Sequence, residues 1–199
     1  MAQSSRRIRE LAQQPEGEEV IVFEEVLRFW FVDTEPRRWW SADPHFDTLV
    51  AERFGAALRA AERSELYGWR VEPRGRLAEV IVLDQFSRNV YRGTAKAFAN
   101  DSLALALAQE AVAGGHDRAL TSAERTFLYM PFMHSESRVI HVESERLFAS
   151  LEDHGNYEFE LRHKAIIDRF GRYPHRNEVL CRESTPEESA FLQDPKSRF

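Results

Sequence analysis

Between Arg76 and Asn89 the chain reads Arg-Leu-Ala-Glu-Val-Ile-Val-Leu-Asp-Gln-Phe-Ser-Arg-Asn. Wound at 3.6 residues per turn, Leu77, Ala78, Val80, Ile81, Val82, Leu83 and Phe86 leave almost no polar face. A helix that is apolar all round cannot lie on a surface and has to be wrapped by other elements. At 199 residues the chain is long enough to do this without disulfides or a structural metal.

The neighbouring segments supply helices for the wrapping. Val22, Val26, Phe29 and Trp30 recur at helical spacing within residues 20–31. Asp43-Pro44 is a cap followed by proline in the first turn, and Phe46, Leu49, Val50, Phe54, Ala57, Leu58 and Ala61 follow it. Glu72-Pro73-Arg74-Gly75 reads as a break. A fourth helix starts near Thr94 and runs through the Leu/Ala stretch to Gly114-Gly115. Thr121-Ser122-Ala123-Glu124 reads as a capping box, opening a short helix that Pro131 should stop. Longer helices are expected over 135–151 and over 157–170, the second closed by Gly171, with a last short one after Thr185-Pro186. No strand is expected. The fold class is all-α, an antiparallel helix-hairpin array of seven to eight helices. Residues 1–18 are polar and read as a mobile arm, and 19–199 as a single all-helical domain. Trp30, Trp39, Trp40 and Trp69 fall near helix ends and read as docking anchors.

Charge and cysteine usage narrow the function classes. The 27 basic and 33 acidic residues give a net charge of −6, which argues against a nucleic-acid binder. Cys181 is the only cysteine, which suits a reducing, cytoplasmic setting. The opening Arg6-Arg7 is followed by Ile8-Arg9-Glu10 and not by an apolar run, so it does not read as a signal. No apolar stretch reaches membrane-span length, so no membrane role is expected.

The candidate functional residues are polar side chains set into apolar helices. Leu77, Ile81, Asp84 and Arg88 are spaced 4, 3 and 4, so the Asp84/Arg88 pair continues a buried stripe. Arg88 could offer its fork to an anion, or the pair could tie helices together. Gln85 and Asn89 extend the set on an adjacent face. His134, Ser135 and Glu136 are expected at a helix start, where free N–H groups favour anions, although Ser135 could equally be a cap. His163 shares the stripe of Ile166, Ile167 and Phe170, the usual place of a core histidine. Arg169, Arg172, His175, Arg176 and Asn177 crowd a turn containing Gly171 and Pro174, a concentrated set of donors. There is no His-x-x-x-His, no cysteine cluster, no Gly-x-Ser-x-Gly elbow and no phosphate-binding glycine loop, so no cofactor and no metal is assigned. His134 with Glu136, and His141 with Glu145, are weak metal patterns, and a site using Asp84, His134 and His163 is conceivable.

Phe29-Trp30-Phe31, the run from Leu83 through Asp84-Gln85-Phe86-Ser87-Arg88-Asn89 to Thr94, Leu128-Tyr129-Met130-Pro131-Phe132-Met133-His134-Ser135-Glu136, and His163 with residues 169–177 together resemble the domain-of-unknown-function 924 family. The resemblance runs from about Val20 to Phe191. It implies an all-helical fold similar to tetratricopeptide repeats and implies no reaction. Ser87 stands where the family motif carries proline, and Cys181 where it carries glycine.

Two functions fit these residues. In the first, Asp84, Arg88, Asn89, Arg169, His175, Arg176 and Asn177 line a pocket for a small phosphate or carboxylate. His134, Glu136 and His163 are then the candidate proton-transfer residues, should a reaction follow binding. In the second, the chain is a helical scaffold for a peptide or protein, and the same residues are staples between helices. The two differ in whether the polar residues meet in one place.

Overall fold

In a computed structural model the structure describes residues 22–194, and within them every regular element is helical. The arm expected over residues 1–18 lies outside the described residues. Helix α1 is Phe23–Arg28, extended by a wide π turn over Phe29–Asp33. Helix α2 is Pro44–Glu62, and its Asp43 cap accepts from the N–H groups of His45 and Phe46. Helix α3 is Pro73–Ile81, continued by a second π turn, Val82–Phe86, and a last turn, Ser87–Val90. Then come α4 (Asp101–Ala113), α5 (Ser122–Met133), α6 (Arg138–Ala149), α7 (His154–Phe170) and α8 (Pro186–Phe191). Short 3₁₀ turns fill the connections. No described helix is long and apolar enough to cross a membrane.

Helix α3 occupies the centre that its composition demands. Every residue from Leu77 to Ser87 is buried, and α1, α2, α4 and α5 all pack against it. From α3 to α7 each helix also packs on the next, as short connections require. The second half of α5, Thr126 to Met133, is buried throughout as well. An aromatic cluster seals α1 and α2 onto the end of α3: Phe29 stacks on Phe46 and tilts against Phe54, which in turn meets Phe86. Burying α3 on all sides also buries Glu79. Arg70, in the turn before the helix, meets it with two bonds of 2.7 Å, so the carboxylate is paired inside the fold.

Local signals place most helix ends, and they fail at Pro131. Thr121 and Thr185 both form capping boxes, and Gly171 closes α7 at φ 72°. The break expected at Glu72-Pro73 is there, with Glu72 extended between two elements. Pro73 occupies the first turn of α3, where a missing N–H costs nothing. Pro131 does not stop α5, which runs on to Met133. Its lost hydrogen bond is confined to the last turn, and burial of Phe132 and Met133 outweighs it. The fourth helix begins at Asp101, after a 3₁₀ turn over Ala95–Phe98.

Gly75 shows how closely α3 is held to the preceding turn. A Cβ built there would lie 2.1 Å from the Trp69 carbonyl oxygen, a backbone atom that cannot step aside. Helix propensity alone favours alanine over glycine. The contact reverses that preference, so Gly75→Ala is expected to destabilise the protein by about 1–3 kcal/mol. A urea midpoint equal to or above the parent's would refute the close approach.

Candidate functional site

One charge network joins α3, α4, α5 and the turn after α7. It begins at Asp84, fully buried in the π turn of α3. Asp84 Oδ1 lies 2.8 Å from His134 Nδ1 and 3.0 Å from Arg88 Nη1. Gln85 donates to Oδ2. Arg88 also donates to the Asp84 carbonyl oxygen at 2.9 Å and reaches Asp101, in the first turn of α4, at 3.1–3.2 Å. Arg176 comes to the same Asp101 from the 3₁₀ turn Pro174–Arg176, at 3.1 Å. Its other terminal nitrogen donates to the His134 carbonyl oxygen at 3.1 Å. The Arg176 guanidinium lies between two rings, 4.6 Å from the centres of both Phe98 and Tyr173.

The protonation states follow from this packing. Burial works against the charge on Asp84, but Arg88 and His134 outweigh it and hold the carboxyl well below its ordinary value. Burial, then the positive charge of Arg88, push His134 below the usual histidine value, with Asp84 pulling the other way. His134 is therefore neutral near pH 7. Against an ionised carboxylate its proton sits on Nδ1, so Nε2 keeps its lone pair. His134 lines a cleft of about 260 Å³. Arg176 and Glu136 line the same cleft, with Phe98, Leu105 and Leu180 as its apolar wall. Burial, then the positive charge of Arg88, hold the Arg176 pKa below its ordinary value, with Asp101 pulling the other way. Its Nε–H is buried with no hydrogen-bond partner among the described residues.

The turn that carries His134 differs from the expected helix start. His134 caps the C-terminal end of α5, and α6 begins only at Arg138 after the Ser137 cap. The N–H groups of a helix N-terminus are thus not offered at Ser135 and Glu136. A different device holds the turn. Glu136 takes a two-pronged ion pair from Arg182 and the N–H of Tyr173 at 2.8 Å. Burial opposes its charge, yet these donors outweigh burial and keep the carboxyl below its ordinary value. Beneath the turn, His141 Nε2 meets the Ser135 carbonyl oxygen at 2.9 Å, and its Nδ1 meets Glu160 at 2.7 Å, with both residues fully buried. Tyr173 donates its hydroxyl to the Met133 carbonyl oxygen.

Asp84, Arg88, His134, Glu136 and Arg176 are therefore brought together, while five other candidates are not. Asn89, one residue after Arg88, turns to α2 and donates to Asp47 at 2.8 Å. Arg169 is exposed and pairs with Glu187 of α8. Asn177 is buried, donating to Ser184 and accepting from Arg182. His163 donates through Nδ1 to the Phe159 carbonyl oxygen at 2.8 Å and sets its ring edgewise on Tyr173. His175 leans on the same Tyr173 at 5.5 Å. Among the described residues no group of three His, Cys, Asp or Glu is placed to hold a metal ion. The Asp84, His134 and His163 trio does not gather.

Sequence reasoning missed Asp101, Phe98 and Glu160. Asp101 reads as an ordinary first-turn carboxylate and Phe98 as a loop aromatic. Neither carries a local mark of the arginines it meets across the fold.

The fold and this network define an all-helical protein with a charged cleft closed by its C-terminal turn. The chain belongs to a bacterial protein family of unknown function, DUF924, whose model matches residues 26–196. It is similar to a solved structure of a protein of unknown function from Agrobacterium tumefaciens, with 39% identity and a TM-score of 0.82, over 86% of this chain and 96% of that one. No curated protein matches.

The buried histidines predict how stability depends on pH. Burial depresses His163 to about 3 and His175 to about 4, against roughly 6.5 in an unfolded chain. Their contribution is complete above pH 6.5. It declines as the pH falls towards those folded values, because the unfolded chain takes up protons that the folded one refuses. Each such group adds about 1.4 kcal/mol per pH unit to the acid limb. His163→Phe should remove one of these, so a parent and variant with the same slope between pH 6 and 4.5 in urea titrations would contradict it.

Proposed function

We propose that the chain binds a small molecule bearing a phosphate or carboxylate in the cleft beside His134, and that His134 exchanges a proton with it. The observation that carries this is the 2.8 Å contact between Asp84 Oδ1 and His134 Nδ1, with His134 lining the cleft. A buried carboxylate that fixes the tautomer of a neutral histidine and leaves Nε2 open is the arrangement of an oriented general base. Arg176 is the anion-binding residue. Two of its nitrogens are spent on Asp101 and the His134 carbonyl oxygen, and its positive charge suits a ligand anion. Arg88 is a positioning residue, since Asp84 and Asp101 occupy it from both sides. Glu136 holds the turn through Arg182 and borders the cleft. An anionic small molecule is the partner this reading requires.

The scaffold reading draws its support from other residues. Asn89, Arg169 and Asn177 spend their bonds between elements, as staples do. A peptide- or protein-binding helical array would need nothing more of them.

Two measurements decide between these readings. Diethyl pyrocarbonate attacks a neutral imidazole with an open nitrogen, so at pH 7 it should modify His134 ahead of His141 and His163. Asp84→Asn should change that rate. Calorimetric titration with inorganic phosphate and with benzoate should show binding that Arg176→Gln abolishes and Arg176→Lys retains in weakened form. A protein that binds neither anion and whose His134 resists the reagent would leave the scaffold reading standing.

A further inference from the structure

A second cleft, of about 520 Å³, shares no residue with the first. Its walls are Trp39 and Trp40 from the 3₁₀ turn Pro36–Trp40 and Phe127 from α5, and its rim carries Glu152, Asp153 and Asn156. The aromatic wall is built and held. Trp39 donates its indole N–H to the Trp30 carbonyl oxygen at 2.9 Å and meets both Trp40 and Phe127 nearly at right angles. Phe127, fully buried, lies parallel to Trp40 at 5.9 Å and supports it from behind. Trp40 itself is 58% exposed. A tryptophan supported from behind and left that open is a poor use of apolar surface unless something covers it.

The electrostatics indicate what covers it. Elsewhere at its surface the protein places its own cations over its rings. Lys96 sits 4.0 Å from the Tyr91 ring centre, Arg162 4.2 Å from Phe159, and Arg169 4.7 Å from Phe170. Among the described residues no cation lies over Trp39 or Trp40, although tryptophan offers the strongest face for one. The rim adds negative charge beside that face. No hydrogen bond or ion pair engages the Glu152 carboxylate among the described residues. Asp153 accepts from the Gly155 N–H and from Asn156 as the cap of α7. The rim is thus rich in acceptors, the wall is aromatic, and both favour a positive ligand.

We propose that this cleft binds an organic cation, an N-methylated ammonium group seated on Trp40 and faced by Glu152. Methyl groups around the charge pack on the indole and require no fixed hydrogen-bond geometry, and they desolvate more readily than a bare ammonium. That combination matches a wall of rings with a single unengaged carboxylate at its edge. The inference is independent of the Asp84–His134 cleft and stands or falls separately from it.

The test compares choline with 3,3-dimethylbutan-1-ol, a neutral molecule of the same shape, by tryptophan fluorescence titration at constant ionic strength. Choline should give a saturable change and bind about tenfold more tightly than the neutral analogue. Trp40→Ala should abolish the change and Glu152→Gln should weaken it severalfold. Both side chains are exposed, and circular dichroism verifies that the variants are folded. Equal binding of the two probes would show an apolar cleft and overturn the proposal. So would the absence of any saturable change with choline, or choline binding that neither variant weakens.

Discussion

The ionised carboxylate of Asp84, set in a helix that is buried on every side, is the constraint from which the rest of the structure follows. A bare charge in that position would cost many kcal/mol. It is met by Arg88, His134 and Gln85 at once. Arg88 is then itself a largely buried cation and needs more than half of a shared carboxylate, which brings in Asp101 from α4. Asp101 draws Arg176 from the far end of the chain, and Arg176 returns to the backbone of His134. Four elements are held by one alternating set of charges. Removing any member leaves its neighbour uncompensated, which is the costly case for buried ions.

The same network accounts for why staple and site are hard to separate in this molecule. Interior charges that compensate one another hold helices together whether or not anything binds. What distinguishes a site is the set of atoms left over at the edge. Here His134 and Arg176 both line one cleft, and the Arg176 Nε–H, buried behind it, has no hydrogen-bond partner among the described residues. Asp84 also sits in a π turn, where the backbone is wound one residue wider than an α-helix. Such turns recur at functional sites because they re-aim one side chain without ending the helix. A second π turn, in α1, carries Trp30 and Phe31, which pack on the aromatic cluster behind the other cleft.

The two clefts differ in sign. The first is lined by the buried guanidinium of Arg176, and the second by the carboxylates of Glu152 and Asp153 beside tryptophan rings. A chain of net charge −6 has therefore separated its charges locally, and its overall balance says little about either place.

Local chemistry was legible in the sequence. Asp43, Thr121, Thr185 and Gly171 cap or close helices within a few residues of themselves, and each does so in the structure. The period of α3 required a buried centre, because no rotation of that helix offers water a polar face. The pairing of Asp84 with Arg88 was equally readable, since a separation of four places both on one stripe. The partners across the fold were not readable. Asn89 adjoins Arg88 in sequence but is rotated about 100° around the helix, so it meets Asp47 of α2 while Arg88 meets Asp101 of α4. Asp101, Phe98 and Glu160 carry no local mark of what they contact. His134 was expected at a helix start and stands at a helix end, because buried contacts carried α5 past Pro131. The sequence by itself determined the helices and the central one among them, through periodicity and capping that act over a few residues. Only the tertiary structure decided which charges share a cleft, because that depends on contacts between residues tens of positions apart, and local spacing does not encode them.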